Sequence, residues 1–215
     1  MLIVILVVDA ILFGGAGRLD WPAAWALTLL FFLFLVLMLS WGLKNARALL
    51  EERIRPAGEV RSWDKIVLKI YNVLRFAVLF IAALDAGRFR WSVMPGSFQV
   101  FAAAVFVALG LIVWRTMCAN SYLSSRARIQ SDRNQKVVTT GPYQYVRHPM
   151  YVAIILLNPC LALILGSWWA IIPAALICPV YMIRTWLEDR MLQDELAGYR
   201  DYASRVRYRL VPGVW

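Results

Sequence analysis

The sequence holds few of the side chains that build metal sites and covalent cross-links. Histidine occurs once, at His148, and cysteine three times, at Cys118, Cys160 and Cys178. The cysteines are widely spaced, lie in or beside apolar runs and form no CxxC pair, so neither a disulfide framework nor a zinc site is indicated. We therefore predict packed thiols and no metal centre.

Acidic residues are also scarce, which bears on the partners of the chain. Lysine and arginine number 23 against 13 aspartates and glutamates, giving a formal net charge of +10. Such a charge suits nucleic acid, but no motif of a nucleic-acid-binding domain occurs. The basic residues instead lie in blocks between apolar runs, as in loops that face a negative membrane surface. We expect a lipid bilayer as partner and no nucleic acid.

Long apolar runs are what the sequence has in excess. Hydrophobic residues make up 61% of the chain and the mean hydropathy is +0.63, whereas soluble domains are about 45–50% apolar. A helix needs about 20 mostly apolar residues to cross a bilayer. Region 1–114 contains four candidate spans, at 2–16, 21–43, 66–84 and 98–114. The sequence thus predicts an all-α integral membrane protein with about four transmembrane helices in this N-terminal region.

Two charged residues lie inside these predicted spans, Asp9 in the first and Arg75 in the third. Charges at such depth either pair with one another or mark a functional site. We predict an ion pair between Asp9 and Arg75 that fixes how the two spans pack.

A further apolar run, 149–183, contains no charged residue and is too long for a single crossing. As one helix it would extend about 52 Å. Gly166 and Ser167 lie near its middle, and prolines interrupt both halves. We predict a helical hairpin that turns near Gly166.

The segment after the hairpin changes character. Apolar residues recur there at helical spacing, at Leu192, Leu196, Tyr199, Ala203 and Val206. This periodicity predicts an amphipathic tail helix that covers the core or the lipid interface.

Basic residues indicate the orientation in the membrane. They cluster in 44–65, 115–147 and 184–209, whereas the short connections between spans hold few. The first cluster consists of Lys44, Arg47, Arg53, Arg55, Arg61 and Lys65. The positive-inside rule places these segments, the N-terminus and the tail helix in the cytosol.

Polar residues concentrate on either side of the predicted hairpin. One group is the stretch 139–151, which includes His148, and the other is Arg184 with Glu188 and Asp189. A hairpin returns the chain to the face it left, so His148 and Arg184 are predicted to meet at one membrane surface. Taken singly, a histidine before proline is a common loop residue, and Arg184 with Glu188 suits a surface ion pair.

The order of these residues is more informative than any one of them. It reads Gly141-Pro142-Tyr143, Arg147-His148-Pro149 with Tyr151, an uncharged hairpin, Arg184, Glu188-Asp189, Leu192, Tyr199 with Tyr202, and Arg209-Leu210-Val211-Pro212. This order resembles the isoprenylcysteine carboxyl methyltransferases and their relatives, the phospholipid methyltransferases. The resemblance covers about residues 115–215, which it identifies as the catalytic region.

The resemblance implies methyl transfer from S-adenosylmethionine to a lipid-borne acceptor at the membrane surface. Arg184 and Glu188 would carry the reaction, with Arg184 nearest the acceptor and Glu188 holding the cofactor. The implied cofactor-binding residues are Gln135, Lys136, Val137, Val138, Tyr143, His148, Pro149, Met150, Tyr151 and Glu188. Many members have a second glutamate where this chain has Asp189, which leaves the role of that residue open.

The chemistry is compatible with this assignment. A sulfonium donor is already electrophilic, so the protein mainly positions and desolvates the reactants. A carboxylate acceptor needs a cation such as Arg184, whereas an amine must lose a proton to His148 or Glu188. The glycine-rich loop that soluble-type methyltransferases carry after a strand is missing.

Esterification of a prenylated cysteine or a similar lipid-borne acid is the leading interpretation. The alternatives are a phospholipid or small-lipid N- or S-methyltransferase, an NADPH-dependent sterol-type reductase, whose His-Pro-x-Tyr region is similar, and a non-enzymatic membrane protein. The oligomeric state stays open.

Overall fold

The computed structural model describes residues 2–54 and 60–215, and its regular structure in those ranges is helical throughout. The α-helices are α1 (Leu2–Ala16), α2 (Pro22–Asn45), α3 (Arg47–Ile54), α4 (Ser62–Ala82), α5 (Gly96–Ala119), α6 (Pro149–Ile164), α7 (Ile171–Glu195) and α8 (Tyr199–Arg205). A π-helical segment, Ala83–Phe89, continues α4, and short 3-10 turns occupy Ser131–Arg133 and Gly141–Gln144. Arg55, a member of the first basic cluster, lies outside the described residues.

Four helices are long and apolar enough to cross a membrane, namely α2, α4 with its π-helical continuation, α5 and α7. The all-α integral membrane fold is therefore confirmed. Three of these helices, α2, α4 and α5, coincide with spans expected within 1–114, whereas α7 is the second arm of the predicted hairpin. The first expected span, α1, has 15 residues, and α6 has 16. These lengths give about 22–24 Å of helix against about 30 Å of hydrocarbon. The second arm of the hairpin is long because α7 continues to Glu195.

The predicted hairpin consists of α6 and α7. The first arm ends at Ile164 and the second begins at Ile171. Gly166 in the connection has a φ of +82°, in the left-handed region that glycine adopts without strain. The predicted turn at Gly166 is thus confirmed.

The apolar positions of the tail are divided between the end of α7 and α8. Gly198 separates the two helices with a φ of +80°. The tail residues join a cluster whose buried members are Tyr143, Leu196, Tyr199 and Tyr202, with Leu192, Ala203 and Val206 packed against it. The amphipathic face of the tail therefore covers the protein core.

The chain divides into two compact units. Unit 1 comprises Met1–Met38, Ile70–Gly110 and Ile155–Cys178, and unit 2 comprises Leu39–Lys69, Leu111–Ile154 and Pro179–Trp215. The residues of the site that the sequence predicts all belong to unit 2.

Unit 1 contains the two charges that the sequence predicts to pair. Asp9 Oδ1 accepts a hydrogen bond from Thr28 Oγ1 at 2.6 Å. Within the part of the chain that the structure describes, Asp9 makes no ion pair with Arg75. The predicted Asp9–Arg75 pair is therefore wrong, because a hydroxyl on α2 supplies the donor that Asp9 needs.

In unit 1, α1 packs very closely against the π-helical segment. A Cβ atom added to Gly87 would stand 2.7 Å from the Cβ of Ala16 and 3.1 Å from a ring carbon of Trp21. A Cβ on Gly15 would stand 2.9 Å from that of Ala83. Side-chain carbons do not approach so closely, so this contact depends on glycine at both positions.

Gly87→Ala is expected to lower the free energy of unfolding by about 1–3 kcal/mol, because the added methyl group overpacks the contact with α1. Gly14→Ala is the matched control, since a Cβ there meets no other atom within 4 Å. Thermal unfolding in detergent compares the two variants. Equal unfolding temperatures would show that the close approach contributes nothing to stability.

In unit 2, a buried ion pair attaches α3 to the loop after α5. Arg128 donates from Nε and Nη2 to the two carboxylate oxygens of Glu52, at 2.9 and 2.7 Å, and both side chains are 4% exposed. Ser124 Oγ donates to the same carboxylate at 2.8 Å. Hydrogen bonding to Glu52, and then to the exposed Asp132, raises the pKa of Arg128. The bidentate pair thus fixes α3 against the loop.

Arg128→Ala is expected to lower the free energy of unfolding by about 3 kcal/mol, because it leaves the Glu52 carboxylate buried without its cation. Arg126→Ala is the control, since Arg126 is half-buried in the same loop and makes no ion pair to a described residue. Chemical unfolding in detergent measures both variants. A loss of the same size at Arg126 would contradict the role given to the Glu52–Arg128 pair.

Candidate active site

The loop before α6 is held by the backbone of the C-terminal segment. The N–H groups of Arg147 and His148 donate to the carbonyl oxygens of Tyr208 and Arg209, at 3.0 and 2.9 Å. Pro149 then begins α6, at a position where its fixed φ suits a helix and its missing N–H is not needed. The loop therefore presents the single histidine from a fixed and buried backbone.

Asp189 is the centre of the hydrogen bonds around this loop. Its fully buried carboxylate accepts from Arg147 Nε at 2.7 Å, Arg147 Nη2 at 2.9 Å and Arg209 Nε at 2.9 Å. The Tyr199 hydroxyl and the Gln193 amide also donate to it, at 3.0 and 2.8 Å. A buried carboxylate requires such compensation. Asp189, whose role the sequence left open, therefore joins the loop, α7 and the tail.

Arg147 extends this network along the tail. Its Nη1 donates to the carbonyl oxygens of Val206 and Arg207, both at 2.8 Å. One side chain therefore binds the carboxylate on α7 and the backbone beyond α8.

Glu188, the acid next to Asp189, has a different environment. It is half-buried, and one carboxylate oxygen accepts a hydrogen bond from the Tyr151 hydroxyl. The other oxygen makes no hydrogen bond to a described residue. The Tyr151 ring stacks on His148, with ring centroids 5.5 Å apart and planes 8° apart. His148, Tyr151 and Glu188 therefore form one contiguous group.

Arg184 lies one helical turn before Glu188 on α7, and it is 4% exposed. Its Nε donates to Asp64 Oδ1 at 2.9 Å, and its Nη2 donates to the Ser125 carbonyl at 3.3 Å. Nη1 makes no hydrogen bond to a described residue. Arg184 therefore does not form a surface ion pair with Glu188, because its guanidinium pairs with the carboxylate of Asp64.

Two aromatic rings flank the same guanidinium. Its central carbon lies 5.0 Å from the ring centroid of Tyr151 and 5.7 Å from that of Tyr181. The face of an aromatic ring attracts a cation, more strongly where water is excluded. Tyr151 thus contacts all three of the other side chains, His148, Glu188 and Arg184, in one site.

The other residues implied in cofactor binding also belong to unit 2. Val137 and Val138 pack against the cluster that contains buried Tyr143. The Tyr143 hydroxyl accepts from Asn120 Nδ2 at 2.8 Å, and burial raises its pKa, so the phenol stays protonated. The negative charge of Glu188 adds to the raised pKa of Tyr143.

Three further members of the implied set differ in exposure. Gln135 Oε1 accepts from the backbone N–H of Gln130 at 2.7 Å, so its side chain shapes the loop. Lys136 is exposed, whereas Met150 is buried in the first turn of α6.

The chain is similar in sequence to known proteins. The protein is 30% identical over 162 residues to the cobalt-zinc-cadmium resistance protein CzcN of Cupriavidus metallidurans, a match that covers 70% of this chain and 68% of that protein. The sequence profile described as phospholipid methyltransferase matches residues 98–197. The chain belongs to the phospholipid methyltransferase family. This family of membrane methyltransferases includes the isoprenylcysteine carboxyl methyltransferases, so the resemblance seen in the sequence is confirmed.

Two polar residues of this site were not predicted from the sequence. Asp64, fully buried in the first turn of α4, accepts from Arg184 and from the Ala127 N–H at 3.0 Å. Asn120 donates to Tyr143. An acid in a first helical turn is favourable for the helix itself, so Asp64 gave no separate signal.

Proposed function

We propose that the chain is an S-adenosylmethionine-dependent methyltransferase that esterifies the carboxylate of a prenylated cysteine or a similar lipid-borne acid. The observation that carries the proposal is the buried Arg184 beside the group of His148, Tyr151 and Glu188. Arg184 and Glu188 are neighbours that bind different partners, which supports separate positions for an anionic acceptor and a cationic donor. The basic clusters favour the cytosolic face for this site.

The side chains suit S-adenosylmethionine, which carries a cationic sulfonium and a cationic amino group. Glu188 offers the carboxylate oxygen that no described residue uses, and the aromatic face of Tyr151 attracts cations. His148 Nε2 is buried without a hydrogen-bond partner, 3.5 Å from Asp189 Oδ1, and such an atom suits a ligand. We propose that the pocket is completed by Gln135, Lys136, Val137, Val138, Tyr143, Pro149 and Met150.

When bound, this cofactor supplies an already activated methyl group. The residues of the chain then have to position the acceptor and exclude water. Arg184 Nη1 is available for an acceptor carboxylate, while Asp64 holds Nε and so fixes the plane of the guanidinium. A carboxylate nucleophile needs no general base, which agrees with a site built on a cation.

A phospholipid or small-lipid N-methyltransferase is the second candidate, and the description of the matching family favours it. An amine acceptor must lose a proton, and Glu188 is the acid placed to accept it. Family membership favours both methyl-transfer proposals over a reductase that uses NADPH.

The deciding experiment is transfer of a labelled methyl group from S-adenosylmethionine by the purified protein in lipid. Farnesyl-cysteine analogues and phosphatidylethanolamine are supplied in parallel reactions. We expect label on the farnesyl-cysteine alone, released as methanol by mild base, because methyl esters hydrolyse there and methylamines do not. Stable label on phosphatidylethanolamine alone would replace the proposal by the second candidate.

A further inference from the structure

Arg53 lies in the last turn of α3 and is one of the basic residues of the first cluster. Its side chain is half-buried, and Nη1 donates to the Leu123 carbonyl at 3.3 Å. The preceding residue, Glu52, makes the bidentate pair with Arg128. The anchor that fixes α3 therefore also fixes the position of Arg53.

The backbone of one loop brings Arg53 close to Arg184. Arg53 donates to the Leu123 carbonyl and Arg184 to the Ser125 carbonyl, each at 3.3 Å. Ser125 Oγ donates in turn to the Arg53 carbonyl oxygen at 3.3 Å. Positions two residues apart are separated by at most about 7 Å along the chain. The two guanidinium groups therefore bind neighbouring points of the same loop.

The aromatic residues of the site are near enough to Arg53 to affect its pKa. Burial lowers the pKa of Arg53 most, whereas the neighbouring Tyr143, Tyr151 and Tyr181 act to raise it. Two of these rings, Tyr151 and Tyr181, are those that flank the Arg184 guanidinium. Arg53 is thus a second cation at the end of the site where Arg184 lies.

The two arginines differ in how their charges are compensated. Arg184 is paired with the buried carboxylate of Asp64, whereas Arg53 makes no ion pair to a carboxylate in the described ranges 2–54 and 60–215. Burial lowers the pKa of Arg53, and the charge of Arg184 lowers it further. A partly buried cation beside a like charge is stabilised when an anion binds.

We propose that Arg53 binds the anionic group of the methyl acceptor and so determines that the enzyme prefers a lipid-borne carboxylate to its uncharged analogue. This inference rests on the proposed function. Arg184, neutralised by Asp64, then orients the carboxylate, while Arg53 supplies the net positive charge. The specificity for an anion is therefore separate from the cofactor site on Glu188.

The test measures binding without turnover, in protein saturated with S-adenosylhomocysteine in nanodiscs. The two probes are N-acetyl-S-farnesyl-cysteine and its carboxamide, which differ only in charge. We expect the native protein to bind the acid about tenfold or more tightly than the amide. A hydrogen bond to a charged group contributes enough binding free energy for a difference of this size. In Arg53→Gln the preference is lost, and in Arg53→Lys it is partly kept. Arg47→Gln, at an exposed arginine of the same helix, keeps the native preference.

Each outcome separates this inference from the proposed function. An unchanged acid preference in Arg53→Gln, or a native protein without any preference, overturns the inference even where farnesyl-cysteine is methylated. Loss of S-adenosylhomocysteine affinity in Arg53→Gln also overturns it, because the effect would then lie at the cofactor. A preference that depends on Arg53 without methyl transfer supports acceptor binding through Arg53 and overturns the proposed reaction.

Discussion

Asp189→Ala is expected to lower the free energy of unfolding by about 5 kcal/mol, because it leaves the buried Arg147 guanidinium without its carboxylate. The hydroxyl of Tyr199 and the amide of Gln193 lose the same acceptor. The apolar tail residues pack beside this network, so their packing weakens as well. Thermal and chemical unfolding in detergent measure the loss.

Glu188→Ala is the control for this prediction, since it removes the adjacent acid from the same helix. Glu188 is only half-buried and accepts one hydrogen bond, so we expect a stability change below about 1 kcal/mol. Similar unfolding curves for the two variants would contradict the central role of Asp189 in the fold.

Glu188→Ala is expected in turn to abolish measurable binding of S-adenosylhomocysteine, a weakening of about 100-fold or more. A carboxylate that binds a cationic amino group in a partly buried site has an effect of this order. Isothermal titration with protein in nanodiscs measures the affinity. Binding within about threefold of the native value would place the cofactor elsewhere.

Arg184→Lys provides the contrasting variant. It keeps the charge beside Asp64 but loses the planar fork that also reaches Ser125. We expect unchanged S-adenosylhomocysteine affinity and a fall of about 100-fold in kcat/KM for the acceptor. Equal loss of cofactor affinity in the Glu188 and Arg184 variants would contradict the separate roles proposed for them.

The parts of the fold that the sequence predicts are those with local signals. The uncharged run 149–183 and Gly166 sufficed for the hairpin, and the hairpin in turn predicted that His148 and Arg184 meet in one site. Both residues do contact Tyr151, whose ring stacks on His148 and lies beside the Arg184 guanidinium. The spacing of apolar residues in the tail likewise predicted which side chains pack inward.

The partners of individual charges could not be predicted in the same way. Arg184 and Asp64 are 120 residues apart, and Arg128 and Glu52 are 76 apart. No periodicity connects residues so distant, so the nearby acid Glu188 was the only partner that spacing suggested for Arg184. Asp9 shows the same limit, because Thr28 gave no signal that it would supply the donor.

The bonds from Arg147 to the carbonyl oxygens of Val206 and Arg207 join groups 59 and 60 residues apart. A ribosome that adds about 5–20 residues per second exposes the His148 loop seconds before these acceptors exist. The hairpin can insert meanwhile, since each helix satisfies its own backbone. The site is therefore assembled only after residues 206 and 207 have been synthesised, and a nascent chain stalled before residue 206 would reside in the membrane without a formed His148 loop.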